Sequence, residues 1–204
     1  AGDDGIHSDD LVAISGGDIT VSGSYEGVEG GTITVSDGTI DVTASDDGFN
    51  AAGGADSSAS SAPRGNDAFA VDASKSLVIS GGTVTVNADG DGLESNGTMA
   101  SSGGTIYVSG PTNSGNGALD SGSSMTISGG TIIAAGSAGM AQTFDETSTQ
   151  ASISYTFTAV QQAGTTITLK DASGNVIASY TPEKVYQSVV ISAPSLTTGQ
   201  SYTL

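Results

Sequence analysis

One spaced recurrence limits what this chain can fold into more than any other feature. An acidic or amide residue, a glycine and an apolar residue return as Asp4-Gly5-Ile6, Glu26-Gly27-Val28, Asp47-Gly48-Phe49, Asp91-Gly92-Leu93 and Asn116-Gly117-Ala118, with a degenerate copy at Gly139-Met140. The glycines lie 22, 21, 44, 25 and 22 residues apart. A second motif trails the first: GGDITV at 16–21, DGTIDV at 37–42, GGTVTV at 81–86, GGTIYV at 103–108 and GGTIIA at 129–134. A period near 22 residues that holds two or three short alternating strands is the length of one turn of a parallel β-helix. In GGTIYVSG, Ile106 and Val108 point inward while Thr105 and Tyr107 point outward, because successive side chains in a strand face opposite ways. No single turn can bury such a face alone. Stacking is therefore expected to set Ile6, Val28, Phe49, Leu93, Ala118 and Met140 into one interior column. A two-sheet sandwich also has short strands, but it does not call for a fixed interval.

The 44-residue gap is twice the period. Residues 53–66, GGADSSASSAPRGN, are small and polar and contain Pro63, so they read as an inserted loop within one turn. The alternative is an extra turn at Asp67-Ala68-Phe69. The repeat fades after residue 145. TTITLKDASGNVIASYT, at 165–181, has two alternating runs around a turn rich in Asp, Ser, Gly and Asn, the pattern of a β-hairpin. The expectation is one domain over 1–204, with turns over 1–145 and a β-rich cap over 146–204 that covers an otherwise open sheet edge. No comparable cap precedes Gly5, which points to missing upstream sequence or to homotypic stacking through the N-terminal turn.

Charge narrows the function. Lys and Arg number 4 against 22 Asp and Glu, a formal net charge of -18. Phosphate binding needs clustered Lys and Arg, so nucleic acid is excluded as a natural partner. No apolar run reaches the length that spans a bilayer, so membrane insertion is not expected. The chain has no cysteine, and disulfides play no part. An acid excess of this size serves solubility, or it demands cations, and calcium prefers carboxylate and carbonyl oxygens.

Stacking turns spacing along the chain into adjacency in space, with adjacent rungs about 4.8 Å apart. The acids before the motif glycines (Asp4, Glu26, Asp47, Asp91) then line one corner, and Glu29, Asn50 and Glu94 line the face beside it. Carboxylates at such spacing repel unless a cation shares them. An Asp-Gly pair is also an ordinary turn former, but the combined set around Asp47 and Asp91 points to Ca2+, with Asp46, Asp47, Asn50, Asp67, Asp89, Asp91 and Glu94 as candidate ligands. Zinc does not suit a chain with no cysteine and a single histidine, and His7 reads as a surface residue. No catalytic residues are assigned. A nucleophilic triad needs a histidine near its nucleophile, and the single His7 sits in a terminal turn; a calcium-dependent polysaccharide lyase would need Lys75 as its only base on the repeats. Sugar binding commonly uses exposed aromatics, which selects Tyr25 and Tyr107 together with the outward acid Glu29. Phe49 reads as core. Tyr155, Tyr180, Tyr186 and Tyr202 divide between packing and surface.

The long segments DDGIHSDDLVAISGGDITVSG, EGVEGGTITVSDGTIDVTASDDGFNAAGG, VTVNADGDGLESNG and VSGPTNSGNGALDSG, with the tail GNVIASYTPEKVYQSVVISAPSLTTGQSYTL, resemble the bacterial cell-surface carbohydrate-binding β-helix proteins. The resemblance covers nearly the whole chain. It implies a right-handed parallel β-helix, bound calcium at the SDDGFN and ADGDGLES segments, a secreted or cell-surface location, and polysaccharide binding without catalysis. It also implies further sequence upstream and a lysine where this chain has His7. The expected partners are cellulose or pectin-like acidic sugars such as polygalacturonate, the acidic ones held through cations. The alternatives are a self-stacking surface-fibre or adhesion module and a weak lyase.

Overall fold

The structure, a computed structural model, describes residues 3–52 and 71–204. The alternating Val, Ile and Thr runs all become strands. In chain order these are β1 (Ile6–Ser24), β2 (Val28–Ala44), β3 (Phe49–Ala51), β4 (Ser76–Ile79), β5 (Thr83–Ala88), β6 (Leu93–Ser95), β7 (Thr98–Ser109), β8 (Leu119–Ser121), β9 (Met125–Gly136), β10 (Ser152–Gln161), β11 (Ile167–Lys170), β12 (Val176–Tyr180) and β13 (Tyr186–Ser192). Among the described residues no helix is long and apolar enough to cross a membrane.

Strands β1 to β9 pair in parallel and form three ladders. One carries Ile6, Val28, Phe49, Leu93 and Leu119 as successive partners. The second carries Val12, Ile33, Leu77, Met99 and Met125. The third carries Ile19, Ile40, Val84, Ile106 and Ile132. All three point their apolar side chains into one cluster, where Val28, Ile33, Phe49, Leu77 and Val84 are fully buried. Each such side chain contributes about 1.5–3 kcal/mol by leaving water.

Glycines set the corners between ladders. Gly82, Gly104 and Gly130 have φ of 80°, 79° and 86°, a left-handed conformation that other residues avoid. A Cβ on Gly104 would lie 2.8 Å from the carbonyl oxygens of both Gly81 and Gly82. At the acid corner the reason is closeness instead. A Cβ on Gly48 would strike the Val86 side chain and, at 2.5 Å, the Gly92 carbonyl, and one on Gly92 would strike Val108 and the Ala118 carbonyl.

The expected fold class, a right-handed parallel β-helix with about 22 residues per turn, is corrected. The eleven-stranded main sheet is mixed: β13 runs antiparallel to β9, and β10 runs antiparallel to β13. A coil of parallel strands therefore does not describe this all-β molecule. The physical cause lies in β9. On earlier rungs the outward position of the third ladder is Thr20, Asp41, Thr85 or Tyr107, but on β9 it is Ile133, which is fully buried. The outer face of β9 thus joins a second apolar cluster with Ile167, Leu169, Ala178, Tyr186, Val189 and Ile191. The antiparallel β11–β12 pair supplies part of that cluster as a separate two-stranded sheet, so this end is layered sheet on sheet.

Two details of the expected interior column also change. Leu93 pairs with Leu119, not Ala118. The longer 25-residue interval before Gly117 is absorbed one residue late, so Leu119 enters the ladder and Ala118 is buried beside it. Met140 lies past the end of β9 and is 44% exposed. The inserted loop at 53–66 and the alternative turn at Asp67-Ala68-Phe69 fall outside the described residues.

Candidate functional site

Parallel register builds two columns of polar side chains on one corner. The residues before the motif glycines form the first. Gly5 N–H donates to the Glu26 carbonyl, Gly27 N–H to that of Asp47, and Gly48 N–H to that of Asp91, so Asp4, Glu26, Asp47 and Asp91 follow one another rung by rung. The residue after each ladder apolar forms the second, in the order His7, Glu29, Asn50, Glu94 and Asp120.

Side chains lock this corner to the backbone. The Asp91 N–H donates to Asp47 Oδ1 at 2.6 Å, and the Gly117 N–H donates to Asp91 Oδ1 at 2.5 Å. Gly90 must be glycine because a Cβ there would collide with the carboxylates of Asp46 and Asp47. Gly90 and Gly92 thus let the segment around Asp91 lie flat against the neighbouring strands.

Asp47, Asp91 and Glu94 meet, with carboxylate oxygens all within 4.8 Å of one another. Burial raises all three pKa values, and the charges of nearby carboxylates add to it. Asp47 is pushed up to about 6, Asp91 to about 7 and Glu94 to about 11. Asp47 and Glu94 share a hydrogen bond that lowers the first and raises the second, so Glu94 holds the proton. Glu26, on the next rung, is raised to about 9 by burial, by Asp47 and by Glu29, although Asn50 Nδ2 donates to its Oε2 at 2.6 Å. Asn50 is 7% exposed, and its Oδ1 is buried with no hydrogen-bond partner. A buried acceptor left without a donor costs about 1–3 kcal/mol. This carbonyl oxygen stands in the column between Glu29 and Glu94. Three carboxylates and an unmatched amide oxygen are hard oxygen donors, the set that suits calcium.

Of the other expected ligands, Asp46 is half-buried at the rim, its carboxyl raised by burial, and its charge raises both Asp47 and Asp91. The structure does not bring Asp89 to the trio. Its side chain is 70% exposed, and its Oδ1 lies 3.0 Å from Lys184 Nζ, which also donates to the Ala88 carbonyl. Asp67 lies outside the described residues. Sequence reasoning missed Asp120, whose carboxyl is raised by burial and whose charge acts on Asp47, Asp91 and Glu94; it accepts a hydrogen bond from Gln142 Nε2. The available signal was the pair Leu119-Asp120, which repeats Leu93-Glu94 one rung on.

At the other end of the column, Asp4, His7 and Glu29 form a second group. His7 Nδ1 lies 2.6 Å from Glu29 Oε2 and 3.3 Å from Asp4 Oδ2, and its Nε2 lies 3.2 Å from Asp9 Oδ1. Burial opposes the imidazolium charge, but the hydrogen bonds to Asp9 and Glu29 and the charges of Glu29 and Asp4 outweigh it and raise His7 to about 9. Glu29 itself is 8% exposed and raised to about 7, by burial first. It faces His7 rather than open water. Of the two aromatics selected for sugar binding, Tyr25 is half-buried. Tyr107 stacks on Tyr180 with ring centroids 4.8 Å apart and planes at 15°, so one face of its ring is covered. A shallow groove lined by Gly16, Gly17, Asp18, Asp37, Gly38, Thr39, Gly82 and Thr83 runs along a different corner.

Fold and site together define an all-β scaffold that presents a buried acid corner. The chain belongs to the family described as carbohydrate-binding domain-containing protein, whose model matches residues 64–191. That match takes in Asp91, Glu94, Asp120 and strands β10 to β13, and it begins after Asp47 and Asn50. No curated protein matches the chain, and no solved structure does.

Proposed function

We propose that this protein is a non-catalytic, calcium-holding module that binds polysaccharide outside the cell. The observation that carries the reading is the Asp47–Asp91–Glu94 trio, with Asn50, whose Oδ1 is buried and unmatched, as the strand partner of Glu94. Membership of the carbohydrate-binding family supplies the ligand class. Calcium would be held by these three carboxylates and the amide oxygen. It supplies there the positive charge that lets acids on successive rungs stay ionised side by side. A chain of net charge -18 repels a polyuronate at long range, and bound cations remove that barrier. Cellulose and polygalacturonate are the polymers to test.

The experiment is retention of the whole protein on cellulose and on polygalacturonate, with calcium and with EGTA, beside calcium titration calorimetry. The expected result is calcium binding that Asp47→Asn abolishes, and retention on at least one polymer. Heatless titration together with no retention on either polymer overturns the reading.

A further inference from the structure

No charged residue lies between Glu146 and Lys170, in a protein with 22 acids. That uncharged stretch builds β10, which ends the main sheet. One of its edges pairs with β13, and the other has no strand partner among the described residues. Ser154, Tyr155, Thr156, Thr158, Ala159 and Val160 are all exposed. Tyr155 is 47% exposed and is the one aromatic among the large apolar side chains that stand in solvent, among the described residues.

The Tyr155 ring is nevertheless held. It meets Phe157 edge-on, with centroids 5.0 Å apart and planes at 83°. Phe157 meets Tyr186 in the same way at 5.7 Å and 77°. Tyr186 is 3% exposed, and its hydroxyl donates to the Thr165 carbonyl at 3.1 Å. A chain of rings rooted in the second apolar cluster thus fixes the orientation of an exposed tyrosine. A ring held in place before binding loses little freedom on binding.

We infer that Tyr155 and the open edge of β10 form a platform for an uncharged polysaccharide, whose pyranose rings lay their C–H faces on the tyrosine. The inference rests on the carbohydrate-binding reading and assigns it a place. Charge selects the ligand. A polyanion needs a cation to approach this protein, whereas a neutral glycan needs none and meets here an exposed strand with no charged side chain. Beside the ring, the open strand edge offers N–H and C=O groups to the sugar hydroxyls. The platform lies within the family match. It is separate from the acid corner, so binding here does not depend on calcium. The competing occupant is a second copy added edge to edge, as strands of this kind permit.

The test measures retention on swollen cellulose and on polygalacturonate for the wild-type protein, Tyr155→Ala and Tyr155→Phe, with calcium and with EGTA, and sedimentation velocity of each. The expected result is that Tyr155→Ala weakens cellulose binding about tenfold in both media. Tyr155→Phe keeps that binding, and the melting temperature and polygalacturonate retention stay unchanged in both variants. Wild-type cellulose retention by Tyr155→Ala overturns the platform while leaving the family-level reading standing. No retention of wild type on either polymer overturns that reading, and the platform with it. A wild-type dimer that Tyr155→Ala dissolves without change in cellulose retention assigns the edge to a second copy and also overturns the proposal.

Discussion

Neutralising one acid of the trio should stabilise the metal-free protein and abolish its response to calcium. Asp91→Asn is the informative change. An amide there keeps an oxygen to accept the Gly117 N–H, so the backbone lock survives. Burial and the neighbouring Asp47, Asp120 and Asp46 raise Asp91 from 3.8 to about 7. Each unit is worth about 1.4 kcal/mol. Ionising Asp91 in the absence of a cation therefore costs about 2–4 kcal/mol, after allowance for relaxation of the site. The sign follows from proton linkage. A carboxyl whose folded pKa is raised binds more protons folded than unfolded, so stability is full at low pH and falls as pH climbs from about 4 through about 7. At pH 8 the metal-free variant should thus melt higher than the metal-free wild type. For a chain of this length 1 kcal/mol moves the melting temperature by about 2–4 °C, which predicts a gain of about 5–10 °C. Calcium at a hundred times its dissociation constant adds about 2.7 kcal/mol to the wild type, a rise of similar size, and adds nothing to the variant. Scanning calorimetry at pH 8, with calcium and with EGTA, measures all four melts. A variant that melts below the wild type in EGTA, or a wild type indifferent to millimolar calcium, refutes the reasoning.

Two further outcomes follow from the geometry. Gly104→Ala should lower stability by about 2 kcal/mol or more in denaturant titration, because it forces a side chain onto a φ of 79° and against two carbonyls. A stability within 0.5 kcal/mol of wild type, about the size of a neutral surface change, would show that the corner tolerates a side chain. His7 should titrate near 9 by NMR. Its partners Asp4, Glu29 and Asp9 raise it, so its contribution to stability is full below about 6.5 and is lost as pH rises through 9. An unshifted His7 would mean that Glu29 is not its partner in solution.

Most of the stacking was legible because one repeat distance carries it. Once Gly27, Gly48 and Gly92 are placed at equivalent corners, Val28, Phe49 and Leu93 must follow each other in register, and so must Glu29, Asn50 and Glu94. The reading failed where the repeat ends. Nothing periodic marks Ile133 as the outward residue of β9. Only its apolar character, where Thr85 and Tyr107 precede it in the column, signals that another layer covers it. That layer brings in antiparallel β13 and turns the main sheet into a mixed one. Within the site, Asp47, Asp91 and Glu94 were legible from spacing alone, whereas Asp89 was not. Its partner Lys184 is 95 residues away in sequence, and no local pattern predicts that the pair will form. Tyr107 was placed outward by alternation, correctly for the parallel strands. The Tyr180 ring that covers it arrives from the hairpin strand β12, which lies outside the 22-residue repeat.

A protein that concentrates its acids rung upon rung places like charges where dilution by water is weakest. The low local dielectric that pushes Glu94 up to about 11 also strengthens any bond to a divalent cation that replaces the shared proton. Cost without the ion and affinity for it therefore have one origin, the buried register of Asp47, Asp91 and Glu94. The edge strand β10, by contrast, carries no charged side chain. β10 is an open edge, and carboxylates along it would keep any glycan with the same sign away. On the reading proposed here, acid corner and neutral edge are two binding surfaces with opposite ionic requirements. Salt separates them. Retention of a neutral glucan through Tyr155 should persist in 1 M NaCl, where the Debye length is about 3 Å. Binding of a polyuronate through calcium should fall as the same salt screens the ion, and equal loss of both would place the two ligands on one surface.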